Sequence, residues 1–123
     1  MIHNFLMYIC LMYSKELLKG TLKTIVLKLL SANGQMYGYE ITQKVKVLTN
    51  EKIQLTEGAL YPTLHKLEAD GLVVTHVENI NGRKRKYYQV TTAGSNEATE
   101  RSNEFTEFVQ TMLLLLNPQL SKS

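Results

Sequence analysis

Tryptophan is missing from this chain of 123 residues, cysteine occurs once and proline twice. The lone Cys10 excludes a disulfide framework within one chain, so a reducing cytoplasm is the default location. The three histidines (His3, His65, His76) are scattered and have no neighbouring cysteine, which leaves no metal-ligand cluster. No glycine-rich phosphate loop occurs, and Ser14, Ser31 and Ser95 sit in no nucleophile-elbow pattern. Catalysis therefore has no positive support, and no cofactor is expected. The apolar opening run, MIHNFLMYICLM, is too short to span a bilayer and lacks the early Lys or Arg of a signal peptide. No membrane partner is expected.

What the chain does have is 44% hydrophobic residues and a net charge of +3, enough for one small domain with a modest core. The charge is uneven. Residues 13–90 hold twelve Lys and Arg against seven Asp and Glu, a net of +5, while residues 91–123 hold two against four, a net of −2. A basic body with a mildly acidic tail fits nucleic acid on one side and a protein contact on the other. A basic surface that is merely solvated is the plainer reading of the same charge.

The organising stretch runs from Thr56 to Thr91. Leu60, Leu64 and Leu67 recur at helical spacing, Thr56 suits the N-cap with Leu55 and Leu60 as a staple, and Gly71 suits the position just past the C-cap. Two β-prone runs follow, 73–80 and 84–90, joined by Asn81–Gly82, the best dipeptide for a type I′ turn. Opposite the leucines lie Gly58, Ala59, Pro62, His65 and Lys66, with Tyr61 and Thr63 on the flanks, a smooth face that a partner surface could approach closely. Pro62 removes a backbone donor inside the element, so a kink or a later helix start is expected. Arg83, Lys84, Arg85 and Lys86 crowd the hairpin tip and suit phosphate contacts. Glu78 falls opposite Arg85, so part of that run reads equally as a cross-strand ion pair, leaving Arg83, Lys84 and Lys86 without an acidic partner. Tyr87 and Tyr88 face opposite ways, one of them into the core; His76 reads as structural.

Upstream, Ser14 caps an expected helix to about Ala32, with Leu18, Leu22, Ile25, Val26, Leu29 and Leu30 at helical spacing and Gly34 as its stop. A second helix is expected over Tyr37–Leu48, and two helices in succession give a helix-turn-helix. Thr91 caps a last helix to about Leu116. Its first half is mostly polar, and its second half carries Phe105, Phe108, Met112 and Leu115 on one seam widened by Val109 and Leu116. Burial against a second copy is the natural cover for that seam, with Leu18 and Leu22 joining it.

GALYPTLHKLEADGLV followed by NGRKRKYYQVTTAG, with LLKGTLKTIVLKLLSANGQMYGYEI upstream, resembles the PadR-type transcriptional regulators of the short kind over roughly Leu17 to Gly94. The resemblance implies an α+β, mostly helical, winged helix-turn-helix with a C-terminal dimerisation helix. The layout is an apolar extension (1–12), a DNA-binding domain (13–90), a dimerisation helix (91–117) and a tail (118–123). The extension either packs on a partner subunit or precedes a true start at Met12, where a family-like N-terminus begins. The implied function is sequence-specific regulation of double-stranded DNA as a homodimer, with repression favoured because no segment is spare for recruiting polymerase. Tyr37, Tyr39 and Lys44 are implied as phosphate contacts. Thr56, Gly58, Ala59, Tyr61, Pro62, Thr63 and Lys66 belong to the recognition helix, and Arg83, Lys84 and Lys86 to the wing. A small planar aromatic effector, often cationic in the family, would lie between paired C-terminal helices against Phe105, Phe108 and Met112, with Glu104 and Glu107 at the edge. The missing tryptophan departs from that pattern. The rival reading is a winged-helix protein-interaction module whose basic wing meets an acidic partner. RNA binding is disfavoured because the recognition helix shows no aromatic stacking platform.

Overall fold

A computed structural model describes residues 13–117 and 119; the apolar opening run and most of the tail lie outside the described residues. Eight elements follow in order: α1 (Lys15–Lys19), α2 (Leu22–Asn33), β1 (Met36–Tyr37), α3 (Gly38–Leu48), α4 (Glu57–Ala69), β2 (Val73–Ile80), β3 (Arg83–Val90) and α5 (Thr92–Leu116). Ser14 caps α1 as expected, accepting from the Leu17 N–H at 3.1 Å. The single helix expected to Ala32 is not formed. Gly20 is a poor helix former, and the Thr21 hydroxyl donates back to the Leu18 carbonyl at 3.0 Å, so the chain breaks there and restarts as α2.

α2 packs against α4, β3 and α5, so more than one stripe of it is covered. Val26, Leu27, Leu29 and Leu30 are buried, and Leu22 and Ile25 pack on them from the edge. Leu27 breaks the expected spacing because the helix is surrounded rather than half-exposed. Gly34 ends α2 with φ at +73°. The next residues form a two-residue strand, too short to show any period, which pairs antiparallel with β3 through Met36–Tyr88 and Tyr37–Tyr87. The sheet order is β1-β3-β2.

Helix α4 starts where the sequence places it, Thr56 Oγ1 accepting from the Ala59 N–H at 3.1 Å. The late start expected from Pro62 does not occur: the helix continues through it, with Leu60 before it and Leu64 and Leu67 after it wholly buried. Its end is a full Schellman motif. The Leu72 N–H reaches the Leu67 carbonyl at 2.9 Å, the Gly71 N–H reaches Glu68 at 3.0 Å, and Gly71 has φ of +75°. The hairpin closes in the expected register, Ile80 opposite Arg83, with Asn81 and Gly82 both at positive φ as a type I′ turn requires. Tyr88 is the core member of its pair and Tyr87 faces outward.

Thr91 caps α5, accepting from the Gly94 N–H at 3.0 Å while its hydroxyl donates to the Gly71 carbonyl at 2.8 Å. The Thr91 N–H donates to the Leu72 carbonyl at 3.0 Å. The polar first half of α5 makes its contact with small residues: Gly94 and Ala98 are buried. From Asn103 onward the helix is exposed apart from half-buried Met112. No helix among the described residues is long and apolar enough to cross a membrane.

A Cβ built on Gly94 would overlap the carbonyl of Leu72, a backbone group that cannot swing aside. Gly94→Ala should therefore lower stability by about 3 kcal/mol, the upper part of the usual overpacking range, read from the denaturation midpoint. An unchanged midpoint would show that the joint opens at little cost.

Candidate nucleic-acid interface

The start of α3, the exposed face of α4 and the basic strand β3 meet at one cleft of about 570 Å³. Of the residues expected to bind DNA, it gathers Tyr37, Tyr39, Tyr61, Lys84 and Lys86. It also gathers His65 and Arg85, the cation read either as a phosphate contact or as a cross-strand pair with Glu78, and with them Gly38 and Glu57, which were not expected in the site. Lys44 is not brought there; it lines a separate concavity with Gln43 and Val47. Gly58, Ala59 and Pro62 are exposed on the same helix, Thr63 is half-buried, and exposed Lys66 lies 4.0 Å from Asp70. The Thr56 hydroxyl is already committed to its cap.

Gly38 explains how two helices share this cleft. A Cβ there would stand 2.8 Å from the Tyr61 hydroxyl oxygen, so only glycine lets the phenol lie across the start of α3. The Tyr61 hydroxyl donates to Glu57 Oε1 at 3.3 Å. Burial first, and then the Glu57 carboxylate, push the phenol's pKa above its ordinary value. A signal for Gly38 was present in the sequence, as a glycine between two tyrosines at a helix start. The meaning of that glycine needed the position of Tyr61, 23 residues later in the chain.

The wing's charge is partly spent within the chain. Glu78 does stand opposite Arg85 in the ladder, yet they form no ion pair. Arg85 lies over the Tyr37 ring at 4.1 Å from its centroid, a cation–π contact. Glu78 instead takes His76 at 3.0 Å and accepts from the Gln35 amide at 3.0 Å, two bonds that hold its carboxyl below the usual range. His76 also stacks on Tyr87, with ring centroids 5.6 Å apart. Lys86 was expected to be unpaired but reaches Glu68 at 3.9 Å, and the same carboxylate accepts from Thr75 at 3.2 Å. Both partners of that ion pair are well solvated, so it contributes little stability. Arg83 and Lys84 form no ion pair among the described residues.

Helices α3 and α4 in tandem, followed by a hairpin whose basic strand edges their cleft, make this a winged helix-turn-helix protein. Residues 26–100 match the transcriptional regulator PadR-like family. A transcriptional regulator of Mycobacterium tuberculosis is 36% identical over 83 residues, spanning 68% of this chain and 75% of that protein. A solved transcriptional regulator from Clostridium thermocellum is similar with a TM-score of 0.75 at 27% identity, over 85% of this chain and 98% of its own. A PadR family regulator from Eggerthella lenta gives 0.71 at 29% identity, over 83% and 87%. The chain belongs to the PadR-like family of transcriptional regulators, a family that works by binding DNA.

Tyr61→Phe removes one hydroxyl at the surface of the cleft and no packing. It should weaken DNA binding by about 1 kcal/mol with the thermal midpoint unchanged. A lowered midpoint at full DNA affinity would place the hydroxyl's role in the fold instead.

Proposed function

We propose that this chain is a dimeric repressor that sets α4 in the major groove of an operator half-site and lays the β2–β3 hairpin along the neighbouring backbone. The observation that carries the reading is the shared cleft, which Glu57, Tyr61 and His65 of α4, the start of α3 and Lys84, Arg85 and Lys86 of β3 line together. Winged helix-turn-helix proteins use these elements for base edges, phosphates and flanking backbone respectively. Arg83 and Lys84, which have no ion pair among the described residues, are the main phosphate contacts, with Tyr37 and Tyr39 beside them, while the Tyr61 hydroxyl stays with Glu57. Lys86 joins them only by leaving Glu68. Residues 13–90 would then form the DNA-binding part and 91–117 the arm that pairs two copies. Occupying the operator is enough to repress.

The arm leaves a large apolar surface uncovered in one chain. Phe105, Phe108, Val109, Leu115 and Leu116 are all exposed in one chain, Leu116 at 74%. Leu113 and Leu114 are exposed too, so the last turn is apolar all round. Isolated apolar side chains are common on surfaces; a contiguous helix end of this kind marks an interaction site. Leu22 is spent on the chain's own core and Leu18 is half-buried, whereas Leu17 is 59% exposed and lines a groove of about 440 Å³ with Phe105 and Phe108. The interface therefore runs through Leu17 more than through Leu18 and Leu22. That groove, with Glu16 and Glu104 among its lining residues, is also where a flat cationic effector would fit. Met112 does not line it in one chain.

Replacing Arg83, Lys84 and Lys86 together with alanine should weaken binding to all duplexes about equally. It should also flatten the dependence of log K on log salt by about 0.9 for each phosphate the wing no longer neutralises. Lys86→Ala alone should change the slope least, because Glu68 already holds that charge. An unchanged slope in the triple variant overturns the wing assignment.

Phe105→Glu with Phe108→Glu places two charges in the apolar arm, where an unpaired charge is costly to bury. The variant should sediment as a monomer, bind a two-half-site operator poorly and fail to take up flat cationic dyes. A variant that still sediments as a dimer removes this face from the interface.

A further inference from the structure

Glu57 is an anomaly on the proposed DNA surface. It is an exposed carboxylate at the first position of α4, in a cleft otherwise edged by Lys84, Arg85 and Lys86. Next to phosphates its charge would be repelled, so on affinity alone the position is unfavourable. Its neighbours narrow what it can do. Thr56 is committed to the cap, Leu60 is buried, and Gly58, Ala59 and Pro62 offer no hydrogen-bonding side chain. From Glu57 to Pro62, the exposed residues of α4 with hydrogen-bonding side chains are Glu57 and Tyr61, and these two are joined at 3.3 Å. The Tyr61 hydroxyl is bonded to Oε1; no hydrogen bond to Oε2 is formed among the described residues. One oxygen of this exposed carboxylate is thus left without a hydrogen bond from the described residues.

In the major groove, exocyclic amino groups are the only base-edge donors: N4 of cytosine and N6 of adenine. Guanine and thymine present acceptor oxygens at the equivalent place, which a carboxylate repels. Adenine adds the N7 acceptor beside its amine, whereas cytosine presents the amine alone, so cytosine is the better partner for a carboxylate.

Resting on the DNA-binding reading above, we propose that Glu57 is a specificity-determining residue. It accepts from N4 of a cytosine in each half-site, held in aim by the Tyr61 hydroxyl, and it lowers affinity for DNA that lacks that base. Its contribution is discrimination rather than strength. The other role open to an acid at this place, favourable interaction with the helix N-terminus, affects folding and is indifferent to base sequence.

The test is in vitro selection from random duplexes with the wild type, E57A and E57Q, followed by affinities for the wild-type site and for single-base changes in it. In the wild type, one cytosine per half-site should be enriched. Replacing it with thymine, which exchanges a donor for an acceptor, should weaken binding about tenfold. In E57A that preference should vanish while affinity for unselected DNA rises about threefold, as removal of one repelled charge implies. E57Q, which can donate as well as accept, should relax the position without abolishing binding. If E57A enriches the same cytosine as the wild type, the proposal is wrong while the DNA-binding reading stands. If the wild type enriches no sequence, both fall.

Discussion

The seating of α5 governs what lies beyond the core: its body packs along α2, and its first turn is locked against the end of α4. Gly94 lies so close to the Leu72 carbonyl that no side chain fits between them, and Thr91 bonds both Gly71 and Leu72 from the same place. Gly71 and Leu72 are also the residues that close α4 through its Schellman motif. The start of the C-terminal arm is therefore fixed to the end of α4 by the Thr91 hydrogen bonds and the close approach of Gly94, without a flexible linker. In the proposed dimer, the angle between two arms sets the separation of two recognition helices, and half-site spacing follows from it. A ligand seated beside Phe105 and Phe108 would act on DNA through the same joint, to the extent that it prefers one arm geometry over another.

The electrostatics of the wing are less generous than the run of four cations suggests. Arg85 lies over Tyr37 and Lys86 reaches Glu68, which leaves Arg83 and Lys84 as the wing cations with no ion pair among the described residues. A cation already paired at home gains only the difference between two partners when it moves to a phosphate. Pre-orientation works the other way: a wing braced by Thr75, Glu68 and Lys86 has less freedom to lose on binding.

Much of this was legible in the sequence, for definite physical reasons. Local chemistry spoke plainly: Thr56 and Thr91 as caps, Gly71 past a C-cap, Asn81–Gly82 as a type I′ turn that also sets the Glu78–Arg85 register. What depended on distant residues was not readable. The break at Gly20 was masked by a leucine periodicity that runs across it, and Leu27 is buried only because α2 is enclosed on several sides. β1 is two residues long and exists because β3 offers it an edge. Proline at position 62 argued for a kink or a later start to α4; the helix nevertheless starts at Glu57, because the burial of Leu60, Leu64 and Leu67 outweighs one missing backbone bond. In the site, the cations were visible while their partners were not, since Glu68 reaches Lys86 and Tyr37 reaches Arg85 from elsewhere in the chain.

The central claim is that this chain reads duplex DNA specifically, with two copies on one site. Its most direct test is a gel shift of the wild-type protein on the DNA upstream of its own gene, against unrelated competitor duplex, at several salt concentrations. A discrete complex containing two chains is expected, preferred over competitor by about a thousandfold or more in affinity and weakening steeply as salt rises. Retardation abolished equally by any duplex, or no retardation at any salt, would contradict it and favour a winged helix that binds an acidic protein partner instead.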